Sequence, residues 1–283
     1  MEKRYWLMLI PMLIMVSINA FIPTMVVFNY SFKNLQPAIA NPQFWGMEGF
    51  RRVIHDPEFR SSVIRTLELT AIALTVEMLL GLVVASVIPQ GRRSKALSVG
   101  IISLPLVMPM TSVGMLFRLT GRVGGVIPTV LNSLGIKFSI ADPTQVFLYS
   151  AFADIWQWTP LVVLILYAGM EAIRPELKEA ALIDRASRWS MFRNVTWPSI
   201  KWPFLVALLL RFMDVFRVFD VPYVMVGAGP ENSVMFLSTY VYFTSLAAYR
   251  IGEGACASLI YLYFSIVACY ILMNILLRGR ELT

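Results

Sequence analysis

Charge is scarce in this chain: Asp, Glu, Lys and Arg together make up 14% of its 283 residues, where a soluble domain carries about a quarter. Hydrophobic residues reach 58%. That leaves too little polar surface to cover a water-soluble globule, so the composition points to a polytopic membrane protein. Cysteine is equally sparse. Cys256 and Cys269 lie in one apolar run and do not suggest a disulfide framework. The single histidine, His55, has no neighbours with which to build a metal site. No G-x-x-x-x-G-K-[ST] stretch occurs, so the chain does not cradle nucleotide phosphates by that device. H-E-x-x-H, G-x-S-x-G and paired-cysteine patterns are missing too, so we expect no catalytic residue and no bound metal, and hence not an enzyme. A transporter built on this chain must draw its energy from a partner or an ion gradient. The net charge of +7 does not argue for nucleic acid, because the basic residues gather at the ends of apolar spans rather than along a stripe.

Apolar runs cover about 6–30, 63–89, 97–118, 145–170, 202–225 and 254–277, each long enough for the roughly 20 residues that cross a bilayer. The expected fold is all-α, a membrane protein of six transmembrane helices treated as one domain over 1–283, with no internal repeat. The first run is too long for the apolar core of a signal peptide, and Ile18-Asn19-Ala20 is a poor cleavage site, so it is read as a retained anchor. Lys3, Arg4, Arg92, Arg93, Lys95, Arg174, Lys178, Arg185, Arg188, Arg193, Lys201, Arg278 and Arg280 fall on one side of this arrangement. Lys33, Arg51, Arg52, Arg60, Arg122, Lys137 and Arg250 fall on the other. The compact cluster at Arg92, Arg93 and Lys95 tips the balance towards both termini inside. The segments 31–62, 119–144 and 226–253 then read as exported loops, the second with a short amphipathic piece around Val130–Leu134.

Several polar residues sit inside apolar sequence, where an unpaired charge costs a few kcal/mol or more. In the fifth run Arg211, Asp214, Arg217 and Asp220 recur every third residue. They form either a polar face along a translocation path or structural pairs, with Arg211–Asp214 or Asp214–Arg217 one turn apart. The fourth run holds Asp154-Ile155-Trp156-Gln157-Trp158-Thr159-Pro160. Trp156 and Trp158 with Gln157 suit a sugar, whose C–H faces stack on rings while its hydroxyls bond; equally, tryptophan anchors helices at membrane interfaces. Glu68 and Glu77, nine residues apart, face opposite sides of a helix and read as helix-pairing contacts rather than a proton relay. Met108 and Met110 read as deformable packing.

The longest charged stretch between two spans, about 171–200, is the most distinctive. Pro175 suits a first helical turn, and Leu177, Ala180, Ala181 and Asp184 then recur on one face. One-carbon side chains there let another surface approach the backbone closely. Ser187 is placed to cap a second short helix, and Pro198 marks the start of the next span. An ordinary loop connecting two spans is the plain alternative.

Glu179-Ala180-Ala181, then three residues, Arg185, nine residues, and Val195-Thr196-Trp197-Pro198 resembles the E-A-A loop of binding-protein-dependent ABC transporter permeases. That pattern has Gly, Ile and Leu where Arg185, Val195 and Trp197 stand here. Phe219-Asp220-Val221-Pro222-Tyr223, running on to Gly227-Ala228-Gly229-Pro230, resembles a second run of the same family, in the variant typical of the first of two paired permeases in sugar importers.

The resemblance implies a coupling helix on the cytoplasmic side, with Glu179, Ala180, Ala181, Asp184, Arg185, Ala186 and Ser187 docking into an ATPase subunit. It implies a second permease as heterodimer partner, ATP and Mg bound in the ATPase rather than in this chain, and an extracytoplasmic binding protein. It adds Tyr223 to Trp156, Gln157, Trp158, Asp214 and Asp220 as path candidates. The location implied is the bacterial inner membrane, amid lipid. The implied cargo is a sugar or polyol, glycerol and glycerol phosphate included. The competing readings are an ion-coupled secondary transporter and a non-transporting membrane scaffold.

Overall fold

The computed structural model describes residues 2–39, 41–89 and 91–278; Arg280, counted above for orientation, lies outside them. Among the described residues the chain is helical, and its only strand-like pairing is one antiparallel bridge between Lys33 and Phe44. The chain divides into two compact units, one of residues 1–63 and 237–266 and the other of residues 64–236 and 267–283.

In the first unit, helix Glu2–Ser31 is predominantly apolar on every side from Leu9 onward, and its side chains there stand largely exposed, as suits a helix facing lipid. Its C-terminal end is fastened by two donors, since Trp45 Nε1 and Cys256 Sγ both reach the Ser31 carbonyl, at 2.9 and 3.1 Å. Asp56 follows the short helix Glu48–His55, and Tyr240 donates its hydroxyl to the Asp56 carboxylate at 2.6 Å. Burial, and then the adjacent carboxylate, push the Tyr240 phenol above the ordinary tyrosine range, so it stays a donor.

The second unit holds the two motif regions. Helix Pro143–Glu171 is its axis: Asp142 caps the start, accepting from the Gln145 N–H at 2.8 Å, and Pro143 occupies the first turn. It packs on helices Trp197–Val215 and Arg92–Val107, while Met110–Gly121 packs on Asp220–Val226. One apolar cluster gathers Leu69, Val113, Phe117, Val146, Val215 and Phe236; another gathers Met78, Val162, Leu166 and Ala207.

Two of the expected spans are broken. The run 97–118 is two helices, Arg92–Val107 and Met110–Gly121, bent by 89°. Met108 precedes Pro109, whose ring disfavours a helical conformation in the residue before it, and Met108 is extended at ψ 130°. The run 202–225 ends as a helix at Val215 and restarts at Asp220. Pro222 has no N–H to offer the Val218 carbonyl, and it lies in the first turn of the new helix, where no such bond is needed.

Among the described residues, four helices are long and apolar enough to cross a membrane, or five if the bent pair counts as one: Leu9–Ser31, Pro57–Val87, Pro143–Glu171, Ile251–Asn274 and the broken pair. Helix Trp197–Val215 carries Lys201, Arg211 and Asp214 in only 19 residues, and is not among them.

Candidate functional site: a charged cavity and an exposed helical turn

The break before Asp220 rearranges the charges expected on a single face. Arg211 does not pair with Asp214. It is fully buried and donates through Nε and Nη2 to both carboxylate oxygens of Glu77, each at 2.7 Å. The same Nη2 reaches Asp154 at 2.8 Å, and the guanidinium lies over the Trp158 ring, 5.0 Å from its centroid. Glu77, Asp154 and Arg211 come from three separate helices and are almost completely hidden. A lone charge there would be prohibitive, and the bidentate geometry is what makes the burial tolerable. Arg211 Nη1 has no hydrogen-bond partner among the described residues.

Against this cluster lies a cavity of about 260 Å³, lined by Met110, Asp154, Trp158, Asp214, Arg217, Val218, Phe219, Asp220 and Val221. Asp214 and Arg217 pair across its wall at 3.3 Å. Asp220 opens helix Asp220–Val226 and stands exposed. The structure thus brings three of the six path candidates, Trp158, Asp214 and Asp220, to one wall.

The other three candidates are elsewhere. Trp156 packs edge-on against Phe117, with ring centroids 5.7 Å apart. Gln157 is buried and donates to the Met108 carbonyl at 3.3 Å, bracing the bend. Tyr223 stacks on Phe219 at 4.9 Å and is not part of the wall. Glu68 lines a different depression, with Arg65 and Glu231. Asp154 is a wall residue that sequence reasoning misses. The available signal is that Glu77, Asp154 and Arg211 are ionisable residues in three different apolar runs, which need one another for neutralisation.

The stretch 171–200 folds largely as its residues suggest. Helix Pro175–Ile183 has Pro175 in its first turn and no buried residue. It ends in two crossed backbone bonds: the Arg185 N–H meets the Leu182 carbonyl and the Ala186 N–H meets the Ala181 carbonyl, both at 3.0 Å. This closure requires a left-handed residue just beyond the helix, and Arg185 supplies it at φ 53°. Glycine is the residue that adopts this conformation without strain, which explains its place in the pattern that the stretch resembles. Ser187 then accepts from the Ser190 N–H at 3.2 Å and caps helix Arg188–Met191. A one-residue-wider turn over Phe192–Thr196 leads into Trp197–Val215.

The turn is apolar and uncovered. Leu182 is 64% exposed, Ile183 81% and Trp189 69%. Glu179 and Ala180 are exposed beside them, and Ala181 is half-buried. Where the turn meets the bundle, Lys95 pairs with Glu171, and Tyr167 donates to the same carboxylate at 3.0 Å.

Comparison with known proteins agrees with this architecture. The family described as "Binding-protein-dependent transport system inner membrane component" matches residues 77–279. The trehalose/maltose transport system permease protein MalF of Thermococcus litoralis is 30% identical over 256 residues, covering 89% of this chain and 87% of that protein. The sulfoquinovosyl glycerol transport system permease protein SmoG of Agrobacterium fabrum is 27% identical over 277 residues, covering 95% and 89%. Among solved structures, a bacterial ABC transporter involved in the import of the acidic polysaccharide alginate superimposes with a TM-score of 0.79 at 23% identity, covering 98% of this chain and 96% of that one. The chain is an integral membrane protein that belongs to the family of binding-protein-dependent transport system inner membrane components.

Proposed function

We propose that this chain, acting as one permease domain over residues 1–283, is half of the membrane pathway of an ATP-driven sugar importer of the bacterial inner membrane, with both termini cytoplasmic. A second permease forms the other half, an extracytoplasmic binding protein delivers the sugar, and two ATPase subunits bind ATP and Mg. The single observation that carries this reading is the uncovered helical turn at Pro175–Ser187. Its Leu182 and Ile183 face outward next to small residues at Ala180 and Ala181. A patch of this kind beside a backbone held by crossed hydrogen bonds suits a rigid lever gripped by another protein.

ATP can drive transport only by binding one state of the assembly better than another. The grip therefore has to pass motion from the ATPase to the helices, and Glu179, Ala180, Ala181, Asp184, Arg185, Ala186 and Ser187 form the handle. The cavity at Trp158, Asp214 and Asp220 supplies the path, with Asp154 and Arg217 completing its wall and the ring offering a face for a sugar's C–H surface. Tyr223 supports that wall through Phe219, and Gln157 holds the bend beside it at Met108. A sugar is favoured over glycerol or another small polyol because the relatives reported above are named for the transport of trehalose, maltose and sulfoquinovosyl glycerol.

The test is co-purification and uptake. Ala181→Trp fills the approach to the backbone and Glu179→Lys reverses the exposed charge. Each is expected to remove the ATPase from the purified complex and abolish uptake, while the chain still inserts at normal levels. Normal pull-down with normal uptake in both variants would overturn the proposal, as would transport by this chain with no ATPase present.

A further inference from the structure

A separate cavity, of about 430 Å³, lies where the stretch 171–200 meets the bundle. Its wall is shared by the end of helix Pro57–Val87, the end of helix Pro143–Glu171 and the loop from Lys178 to Thr196. The charges on that wall do not balance. Glu171 is the one carboxylate among the described lining residues, and it is already taken by Lys95 and by the Tyr167 hydroxyl. Lys178 is half-buried and reaches the Met170 carbonyl at 3.4 Å, longer than the roughly 3.2 Å of a well-formed bond. Arg188 makes no hydrogen bond or ion pair among the described residues. Two cations therefore line the cavity without an anion of their own.

The rest of the lining says what kind of anion fits. Val87, Met170, Met191 and Phe192 give the cavity an apolar side. Val87 is the last residue of a membrane span and is 70% exposed. The cavity thus opens where hydrocarbon gives way to the headgroup layer. Trp197 lies beside Phe192, with ring centroids 6.2 Å apart, and tryptophan favours that same level. A small soluble anion has no use for the apolar side, whereas an anion carrying acyl chains covers both.

We propose that this cavity holds the phosphate headgroup of an acidic phospholipid, with Lys178 and Arg188 as its cationic partners and its acyl chains leaving along Val87 and Phe192. The proposal rests on the chain spanning a membrane, not on its cargo. It is also independent of the ATPase grip, because Leu182, Ile183 and Trp189 do not line the cavity. Basic pockets at the ends of spans attract acidic headgroups, and a zwitterionic lipid brings its own ammonium to its phosphate and so gains less from the same two cations. A lipid held there ties the loop to the ends of both spans.

The experiment titrates the purified permease–ATPase complex in detergent with phosphatidylglycerol or phosphatidylcholine of identical acyl chains. Retained lipids are counted by native mass spectrometry. The native complex is expected to bind its first phosphatidylglycerol about tenfold or more tightly than phosphatidylcholine. Lys178→Gln and Arg188→Gln are each expected to weaken phosphatidylglycerol binding about fivefold and to leave phosphatidylcholine binding unchanged. Arg92→Gln combined with Arg93→Gln removes two exposed charges that do not line the cavity, and is expected to change neither lipid's binding. Equal binding of the two lipids by the native complex overturns the proposal. So does a loss in the Arg92/Arg93 variant as large as in the cavity variants, which would make the attraction a diffuse surface charge. Displacement of the lipid by millimolar inorganic phosphate would assign the cavity to a soluble anion and overturn the proposal as well. Uptake plays no part in these measurements, so a failed sugar-import reading leaves the lipid site standing, and the reverse.

Discussion

Arg211 and Glu77 stand 134 positions apart in sequence and are joined by two parallel hydrogen bonds of 2.7 Å. Both are buried, so the pair is a clamp between helices rather than a surface ornament. Breaking a buried pair from one side leaves a charge with no counterpart, and that costs about 3–5 kcal/mol, whereas removing all the charges together is often close to neutral. Arg211→Met leaves two carboxylates facing each other and is expected to lower the unfolding midpoint in detergent steeply. Adding Glu77→Gln and Asp154→Asn to it is expected to recover most of the loss. A triple variant as unstable as the single one would show that shape rather than charge holds this point.

Arg185 adopts φ 53°, a conformation that costs a residue with a Cβ roughly 1–2 kcal/mol. Glycine there is free of that cost but loses about 0.5–1 kcal/mol of backbone freedom on ordering. Arg185→Gly is therefore expected to stabilise the turn by up to about 1.5 kcal/mol. The check is slower hydrogen exchange at the Arg185 and Ala186 amides. Faster exchange would mean that the arginine side chain, and not the backbone, holds the turn.

What can be read from sequence is what short-range chemistry decides. Pro175 opening a helix and Ser187 capping the next depend on neighbours three or four residues away, and both appear as expected. The same holds for the Asp214–Arg217 pair. Arg211 reads as part of that local series because its true partners are remote, and a linear pattern carries no sign of which distant carboxylate will face it. The two broken spans are a different matter. Pro109 and Pro222 are plain in the sequence, but so are Pro105, Pro160 and Pro203, which the helices pass through, so the residue type alone does not mark where a span breaks. Asp154 is hard to find because its environment, not its residue type, puts it in the cavity wall.

Two glycines in helices give opposite expectations for the same substitution. Gly100, in helix Arg92–Val107, has nothing within 4 Å of where a Cβ would stand. Gly100→Ala is expected to gain up to about 1 kcal/mol from helix propensity. Gly114, in helix Met110–Gly121, would put its Cβ 2.8 Å from the Val224 Cβ and 2.9 Å from the Val221 carbonyl oxygen. Neither atom is the free end of a flexible side chain, so the helix Asp220–Val226 must shift as a body. Overpacking of this kind costs about 1–3 kcal/mol, which exceeds the propensity gain. Because Val221 and Asp220 both line the cavity, the shift should appear in function as well as in stability. Gly114→Ala is thus expected to lower the unfolding midpoint and raise the sugar concentration needed for half-maximal uptake, with Gly100→Ala moving the midpoint the other way. Equal midpoint shifts of one sign would mean that the close contact at Gly114 relaxes without cost.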